Sequence, residues 1–496
     1  MTRPSPITLP DFLGKPRLQH FIDGRWVDSA DGQTLPTRNP ATGEVLAQLA
    51  RGGAAEVDTA VAAARRAFEG PWSRFTPAQR QQVMMRFIEL FERHFDELTL
   101  LESLDMGAPL AKLRAARPTA IQNLLFYASM ARQVGGELPS NSLAGGQVTT
   151  MILKTPVGVV GGIIPWNGPL FGQMHVVAPT LATGCTAVLK PAEDASLAVL
   201  RTAELLVEAG VPAGVINVVT GLGSEAGAAL AAHPDVNRIA FTGSNATGRE
   251  IIKASAVNTK RLQLELGGKS PDIVFADADL DKAVPGVAMG VYNNSGQICF
   301  AGTRVFVQRP LVDEFVDRMA SYGQTLKVGD PLAADTHLGP LISQRQLDTV
   351  LNYVAQGQNE GARLVAGGER LGGDLTQGYF IAPTLFSHVH NDMAIAREEI
   401  FGPVASVIPF DSVDEALTLA NSTRYGLGSG VWSSNIKTVM KMVHGIQAGT
   451  VWVNCYGLVD PAVGFGGIKD SGYGWKGGQA QIDGFLVQKA AYLNWA

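Results

Sequence analysis

Cysteine is scarce. Cys185, Cys299 and Cys455 are the only three thiols in 496 residues. An odd and small number cannot frame a disulfide scaffold, so a reducing cytoplasm is the expected setting. No run approaches the roughly 18 apolar residues that a bilayer span requires. The leading segment MTRPSPITLPDF lacks the apolar stretch of a secretory signal, so no membrane association is expected. Basic excess is missing as well. A net charge of −5 leaves no cationic face for nucleic acid. The eight histidines show no zinc-ligand spacing, and His388 and His390 fall in a loop pattern, so no metal site is expected. There is no low-complexity tract and no internal repeat. What remains is an ordinary packed composition, 46% hydrophobic and 17% charged, on a chain long enough for two or three domains.

Glycine is abundant, at 56 residues, and two of them bracket a thiol in Gly296-Gln297-Ile298-Cys299-Phe300-Ala301-Gly302. A thiolate is a strong nucleophile, and glycines without Cβ let a substrate approach the backbone closely. A lone cysteine is also compatible with a small buried hydrophobe, so the segment needs company to mean chemistry. Asp23-Gly24 reads as the turn of a hairpin over 21–27. Helices are expected over 55–69 and 76–106, the second opened by a capping box and proline in Thr76-Pro77-Ala78-Gln79. From about 150 to 265 short apolar strands (157–164, 187–189, 215–219, 238–241, 263–266) alternate with helices near 171–183, 194–209, 224–232 and 245–256. That alternation predicts an α/β fold with a parallel sheet covered on both faces, and such sheets bind ligands at their strands' carboxyl ends. Thr150 to Lys154 and the tail from Gly484 to Leu493 read as strands without a sheet. Subunit association would supply one.

Several segments could carry chemistry. Pro165-Trp166-Asn167 closes a strand, and the Asn167 amide could donate to a developing oxyanion, although an ordinary turn would look the same. In Lys190-Pro191-Ala192-Glu193 the carboxylate could hold a ribose hydroxyl, which favours NAD over NADP. A solvated charge pair is the plain alternative. Gly221 to Gly227 and Phe241 to Gly248 each end a strand and open a helix, so their N–H groups could face a pyrophosphate or simply make tight turns. Glu265, in Glu265-Leu266-Gly267-Gly268-Lys269-Ser270-Pro271, could act as a general base in a partly dry cleft. Glu399 and Phe401, in Glu398-Glu399-Ile400-Phe401-Gly402-Pro403, suit a ribose clamp or a solvated helix end.

Taken in series, PWN, KPAE, FTGS, ELGGKSP, GQ-x-C, EEIFGP and GTVWVN make the chain resemble the aldehyde dehydrogenase superfamily over nearly its whole length. The resemblance implies a Rossmann-like NAD domain (1–130 and 150–264), an α/β catalytic domain (265–475) and a β oligomerisation element (131–149 and 476–496), assembled as a homodimer or homotetramer. It implies Cys299 as nucleophile, Glu265 as base and Asn167 as oxyanion donor. Cofactor contacts would come from Ile163, Pro165, Trp166, Lys190, Glu193, Gly223, Gly227, Phe241, Gly243, Ser244, Thr247, Leu266, Gly267, Glu399 and Phe401. Cys185 and Cys455 read as structural.

The expected reaction is hydrolytic, non-acylating oxidation of an aldehyde with NAD, NADP being less favoured. A coenzyme A-dependent rival usually lacks a glutamate at the Glu265 position. A catalytically idle member of the fold would have no reason to keep all three residues. The chain departs from the family where bulky side chains often fill the substrate tunnel, at Gly168, Gly172 and Gly457. Phe171, Ile298, Phe300 and Phe465 keep those surroundings apolar, and His175 and Asn293 could meet a ring hydroxyl. A bulky aromatic or terpenoid aldehyde is therefore expected, with a small aliphatic aldehyde or a semialdehyde as the alternative.

Overall fold

The computed structural model describes residues 10–15, 17–143 and 145–496. Most of the leading segment and Ala144, within the 131–149 stretch, lie outside the described residues. Two large sheets dominate. The first has eight strands in the order Gly472–Tyr473, Arg261–Glu265, Arg238–Thr242, Val159–Ile164, Thr186–Pro191, Ile216–Val218, His20–Ile22 and Arg25–Val27. Its five central strands are parallel and its edges antiparallel. The second has seven strands, ordered Arg363–Ala366, Thr384–Ser387, Val404–Phe410, Arg304–Gln308, Pro271–Val274, Gly428–Trp432 and Thr450–Val453. All are parallel but the first.

Burial on both faces explains why these strands read as continuous apolar runs. Val160 and Leu189 enter one core of the first sheet, while Val159 and Val188 enter the core on its other face. In the second sheet Ile273 and Phe306 serve one core and Val274, Val305 and Val307 the other. Successive side chains of a strand point to opposite faces, so a sheet covered twice needs apolar residues at every position.

The hairpin and the capping box form as expected: Thr76 Oγ1 accepts from the Gln79 N–H and Gln79 Oε1 accepts from the Thr76 N–H at 2.9 Å. Four details differ from the sequence expectation. The helix expected over 76–106 is two, Pro77–Arg93 and Phe95–Met106. They meet at His94, where Asp96 and Glu97 start a new helix dipole with favourable charge. The helix expected from 194 begins at Leu197. The segment expected as a helix from 224 opens with a π turn, Gly223–Gly227, before the short Ala228–Ala232 helix. The two strands expected to need an outside sheet pair with each other: Val148–Pro156 and Leu486–Asn494 form an antiparallel ladder in register from Leu486 opposite Pro156 to Asn494 opposite Val148. Among the described residues no helix is long and apolar enough to cross a membrane.

Candidate active site

The carboxyl ends of the first sheet meet the amino ends of the second. Register aligns the first sheet's ends: Ile163 lies opposite Lys190 on one side and Phe241 on the other, and Glu265 lies opposite Thr242. The loops after those strands therefore emerge along one edge. They carry Pro165, Trp166 and Asn167, then Glu193, Gly243 and Ser244, then Leu266 and Gly267.

The part of that edge around Glu193 is built from paired charge and bare backbone. Lys190 is buried, and its Nζ bonds Glu193 Oε2 at 2.9 Å. Burial pushes the Glu193 carboxyl up, but the Lys190 charge and hydrogen bond outweigh it and hold the group below its usual range. A Cβ on Gly223 would meet nothing within 4 Å, and one on Gly227 would touch only the Lys190 stem at 3.9 Å. Gly243 packs closely on Phe241, since a Cβ there would sit 2.5 Å from the ring and force it to shift. Ser244 caps the Asn245–Ser255 helix, its Oγ accepting from the Thr247 N–H. A carboxylate placed by a lysine, open space at a glycine turn and a capped helix start are the parts that an extended dinucleotide needs.

The cysteine segment, by contrast, is tightly specified. Asn294, Ser295 and Gly296 take φ of 53°, 54° and 73°, three left-handed residues in succession. Such strain persists only where surroundings over-determine it. Asn294 Nδ2 donates to the carbonyls of Asn167 at 3.1 Å and Gln297 at 3.3 Å, Ser295 Oγ donates to Gly339 O at 2.7 Å, and Gln297 Oε1 accepts from the Ile342 N–H at 2.9 Å. A Cβ on Gly296 would lie 2.1 Å from the Gly402 carbonyl. These ties bring three sequence motifs together. Asn167 Nδ2 donates to Gln297 O at 2.9 Å, which occupies one of its two N–H groups. A Cβ on Gly268 would meet the Cys299 carbonyl at 2.4 Å, so Glu265-Leu266-Gly267-Gly268 runs directly against the thiol segment. Glu399 Oε1 accepts from the Gly268 N–H at 3.1 Å, and the Phe401 ring, on a residue with φ of 58°, lies edge-on to Trp166 at 5.2 Å.

The charged forms of these groups are disfavoured. Glu265 is 2% exposed, and neither carboxylate oxygen has a partner among the described residues. Burial pushes it up to about 8, against the pull of Lys476. Burial likewise raises the Cys299 thiol to about 12, with Glu399 and Glu265 adding and Lys476 opposing. Glu399 is pushed up to about 7 by burial. Lys269 is pulled down to about 7 by burial and by Arg304. A thiol and an amide on two loops and a carboxyl at a strand's end, brought together in a partly buried site, can support nucleophilic attack and proton abstraction.

The residues expected around a tunnel divide into two groups. Phe300 stacks near Phe465 at 5.5 Å and Trp452 at 5.4 Å, and a Cβ on Gly457 would touch Phe300 at 3.5 Å. Gly457 has φ of 73°, so the backbone, and not a lack of space, calls for glycine there. Ile298 is half-buried beside the thiol. Space beside Gly168 is open, with nothing within 4 Å of a Cβ. A Cβ on Gly172 would instead touch Ile164 and Pro165 at 3.4 Å; Gly172, with His175, lines an internal cavity of about 10 Å³, while Phe171 packs on the adjoining core. His175 Nδ1 and Asn293 Oδ1 are buried without partners among the described residues.

Sequence reasoning missed Asn294, which clamps the oxyanion candidate to the cysteine turn, and Lys476. An asparagine pair in Asn293-Asn294 before Ser295-Gly296 is a left-handed turn signal that could have found the first. Nothing in Gly474-Trp475-Lys476-Gly477 points to Glu265. Among the described residues no group of three or more histidine, cysteine, aspartate or glutamate side chains is arranged to hold a metal.

A family model described as the aldehyde dehydrogenase family matches residues 26–491. The chain is 44% identical, over 95% of its length and 88% of the other protein, to the mitochondrial benzaldehyde dehydrogenase of Antirrhinum majus. It is 44% identical to aldehyde dehydrogenase family 2 member B4, mitochondrial, of Arabidopsis thaliana, over 95% of this chain and 87% of that one. An aldehyde dehydrogenase from Bacillus cereus solved as its NAD+ complex superposes with a TM-score of 0.95 at 43% identity, covering 98% of both chains. The indole-3-acetaldehyde dehydrogenase of P. syringae superposes with a TM-score of 0.94 at 40% identity, covering 97% of both.

Proposed function

The chain belongs to the aldehyde dehydrogenase family and is an NAD-dependent enzyme of it, and from that premise we infer a hydrolytic oxidation of a bulky apolar aldehyde with Cys299, Glu265 and Asn167 in named roles. The observation that carries the reading is the packing of Gly268 on the Cys299 carbonyl together with the Asn167 amide on the Gln297 carbonyl, which joins three distant motifs at one thiol. Cys299 Sγ attacks the aldehyde carbon and forms a thiohemiacetal. The second N–H of Asn167 Nδ2 and the Cys299 backbone N–H meet its oxyanion. NAD, when held at this site, would supply the two-electron acceptor for conversion of the adduct to a thioester. Glu265, ionised, takes a proton from water, the hydroxyl adds to the thioester, and the carboxylic acid leaves as the thiol is restored. Lys190, Glu193, Gly223, Ser244, Glu399 and Phe401 would hold NAD, and the Glu193 charge would oppose the 2′-phosphate of NADP.

The open space at Gly168 and the Phe300, Phe465 and Trp452 group support an aromatic or terpenoid substrate. Two similar proteins carry names of aromatic aldehydes, benzaldehyde and indole-3-acetaldehyde. The Val148–Pro156 and Leu486–Asn494 ribbon would serve subunit association in a homodimer or homotetramer, and the three free thiols suit a reducing compartment such as the cytoplasm.

The test is NADH formation by Cys299→Ser, expected to be abolished with NAD binding intact. Turnover retained there and lost instead in Cys455→Ser would sink the assignment. Across acetaldehyde, hexanal, benzaldehyde, vanillin, citral and succinic semialdehyde, kcat/KM should be highest for a bulky aldehyde, and Gly168→Phe should depress that aldehyde while sparing acetaldehyde.

A further inference from the structure

Lys476 reaches the site from a part of the chain outside every motif considered so far. Its backbone is fixed: Lys476 N–H and C=O both bond Phe465 at 2.7 Å, and Gly477 and Gly478 follow with φ of 75° and 64°. Its Nζ donates to Thr242 Oγ1 at 2.8 Å. Thr242 is the register partner of Glu265 on the neighbouring strand, so both side chains rise from the same face of the sheet. The ammonium is thus anchored to the strand adjacent to that of Glu265, the two backbones lying about 5 Å apart. Lys476 also lines the small cavity with His175, Thr242 and Gln263. Glu265 needs such a neighbour, because a buried carboxylate with two unpartnered oxygens is strongly disfavoured in its charged form.

We propose that Lys476 is a positioning residue for the hydrolytic half of the reaction: the cation, docked on Thr242, that eases the ionisation of Glu265 beside the acyl-cysteine. The assignment rests on the proposed role of Glu265. The titratable groups facing Lys476 are Glu265, Cys299 and His175, and Glu399 adds to the field at Cys299. His175 is held neutral by burial and by Lys476 itself. Lys476 therefore favours the anion at Glu265 and Cys299 alike.

The sign is fixed by that charge. Without it, Glu265 ionises at higher pH, so the acidic limb of the turnover profile moves upward. The experiment compares kcat against pH from 6 to 10 for the parent enzyme, Lys476→Met and Lys476→Arg, with NAD and benzaldehyde saturating. The expected result is an alkaline shift of about one unit or more in Lys476→Met, with turnover recovering at high pH, and a parent-like profile in Lys476→Arg. A pH-independent loss, or an unmoved limb, overturns the proposal; if Lys476→Met does not fold, Lys476→Gln takes its place. The pH dependence of iodoacetamide alkylation at Cys299, measured without cofactor, should shift the same way. That second readout separates the two readings. A parent enzyme that oxidises no aldehyde would defeat the proposed function, whereas an unshifted alkylation profile would defeat the role of Lys476.

Discussion

Glu193 and Glu265 stand at the ends of strands in the same sheet and are treated in opposite ways. Glu193 is half-exposed, bonded to Lys190 at 2.9 Å, and held below the usual carboxylate range once that pairing outweighs its burial. Glu265 is 2% exposed, has no hydrogen-bond partner among the described residues, and is pushed up to about 8. The surrounding regions repeat the contrast. Around Glu193 the charge is neutralised locally and the glycines leave open room. Around Glu265 the neighbouring Cys299, Glu399 and Lys269 are all driven toward neutrality by burial. One residue type is thus held as an anion in one place and driven toward its protonated form in another, and pairing decides which.

The contrast breaks most visibly at Glu265. Glu265→Gln keeps the shape and removes proton acceptance, so turnover should fall by about 10²–10⁴, the usual range for a general base. A burst of about one NADH per site should remain if acylation outruns hydrolysis. Unchanged steady-state turnover would remove Glu265 from the mechanism. At Glu193 the effect should be smaller and selective. Glu193→Gln should narrow the preference for NAD over NADP about three- to tenfold, since a partly exposed charge is screened, and it should leave the burst intact. Equal kcat/KM for the two cofactors in the parent would end that reading.

The subtlest effect is on stability. The folded Glu265 value of about 8 lies above its ordinary 4.5, so its neutral form favours the fold below pH 4.5 and that contribution is lost as pH rises through 8. Glutamine cannot ionise. Glu265→Gln should therefore melt at the same temperature as the parent near pH 4.5 and about 1–3 °C higher at pH 9. A difference that does not widen between those pH values would show that Glu265 is already paired when charged.

How much of this was legible in the sequence follows from which forces are local. The parallel strands could be read because each is buried on both faces and so carries an unbroken apolar run, as in Val159–Ile164. The Thr76 capping box could be read because its partners sit three residues apart. The break at His94 could not, since the apolar spacing of Phe87, Phe91 and Phe95 continues across it and those rings stay in one core. The tail strand could be read as a strand, but its partner could not, because a ladder between distant segments leaves no periodicity in either. Of the candidate site, the thiol, the carboxyl and the amide could be singled out by their glycine and proline settings, each with a plain alternative, and only the family resemblance of the motifs in series assigned their roles. Lys476 could not be: a lysine in a glycine-rich turn, between Trp475 and Gly477, resembles any exposed loop residue until Thr242 is found beneath its ammonium.

The edge strand Gly472–Tyr473 covers the outer side of Leu264 and Glu265, and Gln263 Nε2 bonds Trp475 O across 212 positions of sequence. This has a consequence during synthesis. At about 5–20 residues per second, the strand bearing Glu265 waits roughly 10–40 s on the ribosome with its outer ladder groups unpaired. An open edge is a template for another strand. Over that interval the nascent chain presents the edge to chaperones and to neighbouring nascent copies, and truncation before Gly472 would leave it presented permanently.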